Sequence, residues 1–170
     1  VIESDDSHSA CLEPQLLDLL VMKLPQLKRL DISGTDFVGG KDRNISAFER
    51  RINQPFNFLG LFHTGNDAAF SSCIPAITVA GEANETQILN ACEAYMDRPE
   101  QLSKALSDLY NLYKTITPSE SFDSKTRALD VVLPILTKHI SDEQVIIFTT
   151  AALWCIVKID VQSRKIFGDT

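Results

Sequence analysis

The side chains best suited to chemistry are few and far apart. The histidines are His8, His63 and His139, and the cysteines are Cys11, Cys73, Cys92 and Cys155. His63 and Cys73 are the one pair that suits a nucleophile and its base, because an imidazole within hydrogen-bond reach can take a thiol proton. That pairing would make a Cys/His hydrolase, although no third group stands out to orient the imidazole. His8 lies in a Ser- and acid-rich leader, and His139 follows Lys138 where positive charge suits a helix C-terminus. The cysteine spacings fit neither C-x-x-C nor a zinc ribbon, so no metal site is expected. No H-E-x-x-H, G-x-S-x-G or G-x-x-x-x-G-K-[ST] occurs. Glu82, Glu85, Glu93, Asp97, Glu100 and Asp108 are spread along helical faces rather than paired in a pocket. Trp154, the single Trp, sits in an apolar helical run and reads as a core anchor. The expectation is no catalytic, cofactor-binding or metal-binding residue.

The elements that would carry these residues begin with a repeat. Leu24, Leu27, Leu30, Ile32 and Thr35 in LPQLKRLDISGT follow the L-x-x-L-x-x-L-x-L frame of a leucine-rich repeat. Leu30 and Ile32 would point inward, with Asp31 and Ser33 on the concave face. A shift of 29 residues maps Leu27 to Phe56, Leu30 to Leu59, Ile32 to Leu61 and Thr35 to Thr64 in FNFLGLFHT. The same shift takes Leu16 to Ile45 and Leu19 to Phe48. Two unrelated helix–strand units of an α/β domain are the alternative. Neither strand leads into a phosphate cradle, since a G-x-G-x-x-G frame starting at Gly34 meets Asp36 at its second glycine and Gly65 has no glycine partner. A solenoid needs about three repeats to bury its faces. Further repeats are therefore expected before Val1, with the second copy as a terminal, capping repeat.

Beyond Gly65 the pattern changes. Asn66, Asp67, Ser71, Ser72 and Pro75 mark turns, and Ile77 to Val79 suit one more short strand. From Asn84 onward the chain reads helical. Asn84 with Gln87 fits a capping box. Asp97 with Glu100, and Pro99 in the first turn, opens a second helix. A third helix is expected over about 124–139, kinked at Pro134. Ser141 with Gln144 caps a fourth, which runs to about Ile159 and is apolar nearly all round, as a helix buried between neighbours would be. The fold class expected is a mixed repeat solenoid, the end of a leucine-rich (α/β) stack leading into armadillo-like all-α repeats. Residues 1–13 form a flexible leader, 14–80 the leucine-rich repeats and 81–170 the start of the helical repeats. The helices between Asn84 and Lys114 are expected to pack on the end of the stack, with Phe56, Phe58, Phe62 and Phe70 as aromatic filling.

Composition narrows the function. The 170 residues are 44% hydrophobic and carry a net charge of −7, which disfavours a phosphate backbone as partner. No run of 18 apolar residues would span a membrane. Val1 is followed by nothing like a signal or transit peptide, so the chain reads as a piece of a longer one. Cys92 and Cys155 fall in apolar helical patterns as small hydrophobes, which suits a cytoplasmic and/or nuclear protein. The sequons at Asn44 and Asn84 support the contrary view, an extracellular leucine-rich repeat binding protein. Two solenoid types without catalytic residues describe a scaffold for binding proteins.

The segments LPQLKRLDISGT, FNFLGLF and GEANETQILNACEAY resemble the Zyg family of ubiquitin-ligase substrate receptors. The resemblance spans about Leu24 to Lys158. The stretch from Lys41 to Phe56 and RPEQLSKAL from Arg98 look nearer the zer-one homolog branch than the zyg eleven branch. It implies a non-catalytic substrate-recognition subunit of a cullin-2 RING ligase, with no cofactor. The implied partners are elongin B/C, cullin-2 and substrates bearing an N-terminal Gly or other small residue. It also implies that the cullin box lies before Val1 and the degron pocket beyond Thr170. Trp154 is not assigned to that pocket, because the Asn that armadillo helices use to hold a peptide backbone would fall near Cys155.

Overall fold

A computed structural model describes residues 14–35, 46–64, 67–116 and 125–159. The leader over 1–13, with His8 and Cys11, and the Asn44 sequon lie outside the described residues. The chain divides into two compact units between Gly81 and Glu82.

The first unit runs α1 (Pro14–Lys23), β1 (Arg29–Asp31), α2 (Ser46–Glu49), β2 (Phe56–Gly60), a 3-10 turn (Ala68–Phe70) and β3 (Ala76–Ala80). The strands form a parallel sheet in the order β1-β2-β3. Leu30 lies opposite Leu59, the 29-residue offset seen in the sequence. Leu59 lies opposite Val79 and Phe58 opposite Thr78, an offset of only 20. β3 thus adds a strand beyond the second copy, which is therefore not terminal in the sheet. This is the short strand expected over Ile77 to Val79, and it falls outside the 29-residue frame because the second connection is shorter than the first.

Alternation sets the faces. Ile32, Leu59 and Leu61 are buried, while Asp31 is exposed. The turn after each of the first two strands repeats in detail. The Thr35 hydroxyl donates to the Ile32 carbonyl at 2.6 Å, and that of Thr64 to the Leu61 carbonyl at 3.1 Å. The residue before each Thr takes a left-handed backbone, Gly34 at φ 71° and His63 at φ 51°. The Ile32 amide donates to Gly60 at 3.0 Å and the Leu61 amide to Ala80 at 2.7 Å, so the ladder also repeats just past the strand ends.

Stacking of the two copies depends on Arg51, which follows α2 and is only 2% exposed. Its guanidinium donates to the carbonyls of Pro25 and Leu27, both at 2.6 Å, and lies 4.3 Å over the Phe56 ring. A fork of donors on one planar group can tie two carbonyls of the preceding copy at once. Phe48 is buried, whereas its counterpart Leu19 in the first copy is 52% exposed.

The second unit is four helices, α3 (Glu85–Ala94), α4 (Pro99–Thr115), α5 (Lys125–Lys138) and α6 (Glu143–Ile159). Within it α4 packs on α3 and α6, and α5 packs on α3 and α6. Its core holds Leu89, Cys92, Leu102, Leu106, Leu109, Val132, Ile135, Val145 and Ile156. Asn84 caps α3 by accepting from the Gln87 amide at 3.0 Å, and the Gln87 side chain reaches back to the Ala83 amide at 3.4 Å. At the other two expected starts the helices begin where expected, with Pro99 and Glu100 in the first turn of α4, but the cap residues are corrected. The cap residue of α4 is Arg98, without a side-chain cap bond. Pro99 fixes the first helical φ there, and the Asp97 carboxylate is taken by Lys138 instead. At α6 the cap is Asp142, not Ser141, and its carboxylate accepts from the Val145 amide at 3.1 Å. Helix α5 runs through Pro134.

Helix α6 departs from the expected full burial. Val145, Ala152, Cys155 and Ile156 are buried, but Ile147 is 52% and Trp154 61% exposed. These two are seven residues apart and so lie on one side of the helix, while α4 and α5 cover others. Trp154 is therefore no core anchor. Its ring lies under the Lys158 ammonium, 5.0 Å from the ring centroid.

Candidate functional site

The Cys73 and His63 pair is not assembled. Cys73 is an exposed free cysteine ahead of β3. The His63 ring stacks on Phe62, with 4.2 Å between centroids and 13° between planes. Among the described residues no hydrogen bond joins Cys73 to His63. The other two described thiols are buried. Burial pushes Cys92 far up, with the charges of Glu93 and Asp108 acting in the same sense, and burial also raises Cys155. A thiol kept protonated is a poor nucleophile. Among the described residues no three His, Cys, Asp or Glu side chains group as metal ligands, and no described helix is long and apolar enough to cross a membrane.

The titratable groups that do come together tie helices to one another. The Tyr113 hydroxyl, buried on α4, donates to the Glu85 carboxylate on α3 at 2.8 Å. Burial and then this acceptor push the phenol far up, so it stays protonated as a donor. Arg127 on α5 donates to Asn90 and, at 3.2 Å, to Glu93, both on α3. At the other end of α5 the Lys138 ammonium bonds Asp97 at 2.5 Å, and the His139 Nε2 contacts the Met96 carbonyl at 2.7 Å. The hydrogen bond and charge of Lys138 hold the Asp97 carboxyl below its usual range. Each pair anchors α3, or the loop after it, to α4 or α5.

In the first unit, one face of the sheet aligns Arg29, Phe58 and Thr78 in one row and Asp31, Gly60 and Ala80 in the next. The Arg29 guanidinium lies 4.6 Å over the Phe58 ring. The Asp31 and Ser33 side chains lean onto Gly60, where an added Cβ would meet the Asp31 Oδ1 at 2.2 Å and the Ser33 Oγ at 2.9 Å. Ser33 accepts from the Phe62 amide at 2.9 Å. Of the four phenylalanines expected as filling, Phe56, Phe58 and Phe62 are buried and Phe70 is 43% exposed.

Sequence reasoning missed three features, namely the Arg51 clamp, the space kept free at Gly60 and the Tyr113–Glu85 bond. Each joins residues 24 to 29 positions apart. The 29-residue shift supplied one signal, since it sets Asp31 against Gly60, an opposition of a side chain with none. Chemically, the described surface offers apolar side chains for contact, among them Ile77, Ile147 and Trp154.

No family model matches the chain, and no solved structure matches it significantly. The protein zer-1 homolog of Drosophila melanogaster is 36% identical over 180 residues, covering 92% of this chain and 22% of that protein. The zer-1 homolog of Mus musculus is 34% identical over 173 residues, with 89% and 21% covered. Zyg eleven-related protein 1 of Caenorhabditis elegans is 30% identical over 158 residues, with 85% and 17% covered. The chain thus spans about a fifth of the length of these relatives. The resemblance to the Zyg family carried by LPQLKRLDISGT and GEANETQILNACEAY is a homology, and the chain is a homologue of the zer-1 and Zyg eleven-related proteins over this segment.

Proposed function

We propose that this chain is a non-catalytic segment of a substrate-receptor subunit of a cullin-2 RING ubiquitin ligase, acting in the cytoplasm and/or the nucleus. The observation that carries the proposal is identity of 30–36% to zer-1 and Zyg eleven-related proteins across about nine-tenths of the chain. On this reading the first unit is the end of a leucine-rich stack and the second the start of armadillo-like helical repeats. The shared 29-residue register and the twice-built Thr turn support the first part. The four-helix packing of α3 to α6 is compatible with the second. A receptor of this kind sets where a substrate lysine sits relative to the ubiquitin-carrying enzyme, so its value lies in a raised effective concentration and not in bond chemistry. Elongin B/C and cullin-2 are the proposed assembly partners, engaged by parts of the longer protein. Substrates with an N-terminal Gly or other small residue are the proposed cargo.

The test is affinity purification of the full-length protein that contains this segment. Co-purification of elongin B, elongin C and cullin-2 is expected, and their absence overturns the ligase assignment. Peptides beginning with free Gly should bind more tightly than the same peptides with the amine acetylated. Equal binding removes the terminal-Gly specificity while leaving the ligase assignment intact.

A further inference from the structure

We draw no further inference here: the strongest candidate, the exposed apolar stripe of Ile140, Ile147 and Trp154 at the start and along one side of the last helix of the second unit, carries nothing because no feature of the structure shows what covers it.

Discussion

Replacing Arg51 probes how the two copies of the first unit hold together. Arg51→Met keeps most of the stem volume and removes the charge and the donor fork. Two hydrogen bonds from a charged group, both at 2.6 Å, are lost, and bonds of this kind contribute about 1.5–3 kcal/mol each. Loss of the guanidinium over the buried Phe56 ring removes about 2 kcal/mol more. The opposite term is release of a buried cation, whose desolvation costs several kcal/mol in the folded state. The net expectation is a loss of about 2–4 kcal/mol. Arg51→Lys keeps the charge but cannot serve both carbonyls in one plane, and should recover less than half of that. The control is Met22→Ala, at the position 29 residues earlier. Met22 is 60% exposed where Arg51 is 2%, so its truncation should cost under about 0.5 kcal/mol. Urea unfolding followed by circular dichroism measures the total. Hydrogen exchange at the Asn57 and Phe58 amides, which donate to the Lys28 carbonyl, reports the first unit alone. Stability of Arg51→Met within 0.5 kcal/mol of the parent, a margin set by ordinary surface changes at about that size, refutes the clamp. So does a Met22→Ala cost equal to that of Arg51→Met.

Four further outcomes are expected. Gly60→Ala should lower the melting temperature, since its Cβ would fall 2.2 Å from the Asp31 Oδ1 and overpacking costs about 1–3 kcal/mol; adding Asp31→Ala should restore part of the loss, and strict additivity would contradict the contact. Tyr113→Phe and Glu85→Ala, alone and together, should show a coupling energy of about 1 kcal/mol in a double-mutant cycle, and zero coupling would mean the 2.8 Å bond is idle. The lowered Asp97 carboxyl makes a contribution that is complete above the unfolded aspartate range near pH 4 and is lost as pH falls through the lower folded value; Lys138→Met should raise the Asp97 pKa followed by carboxyl NMR, and an unchanged titration would exclude the pair. Alkylation under native conditions should modify Cys73 well before Cys92 or Cys155, because the first is exposed and the others are buried with raised pKa values; comparable rates would show that the second unit's core is open.

Much of the local architecture was legible in the residues. Apolar and Thr positions spaced by 29 residues report side chains that stack in register, and the strands pair Leu30 with Leu59 at that offset. The Asn84 cap was legible because the donor it satisfies is three residues away. Homology was legible for the same reason, since GEANETQILNACEAY is a contiguous string. The 20-residue offset to β3 was hidden, because Ala76 and Thr78 stand opposite Phe56 and Phe58 and share little with them.

Coverage was decided only in three dimensions. Residue type by itself would bury Met22, Ile147 and Trp154 and expose Arg51, yet the structure exposes the first three and buries the last. Periodicity states which side of an element can be apolar, and it arises within a few turns of backbone. Whether that side meets another element depends on packing between residues distant in the chain. Arg51 is buried by a copy of the fold placed before it, and Trp154 is exposed where neither α4 nor α5 covers it.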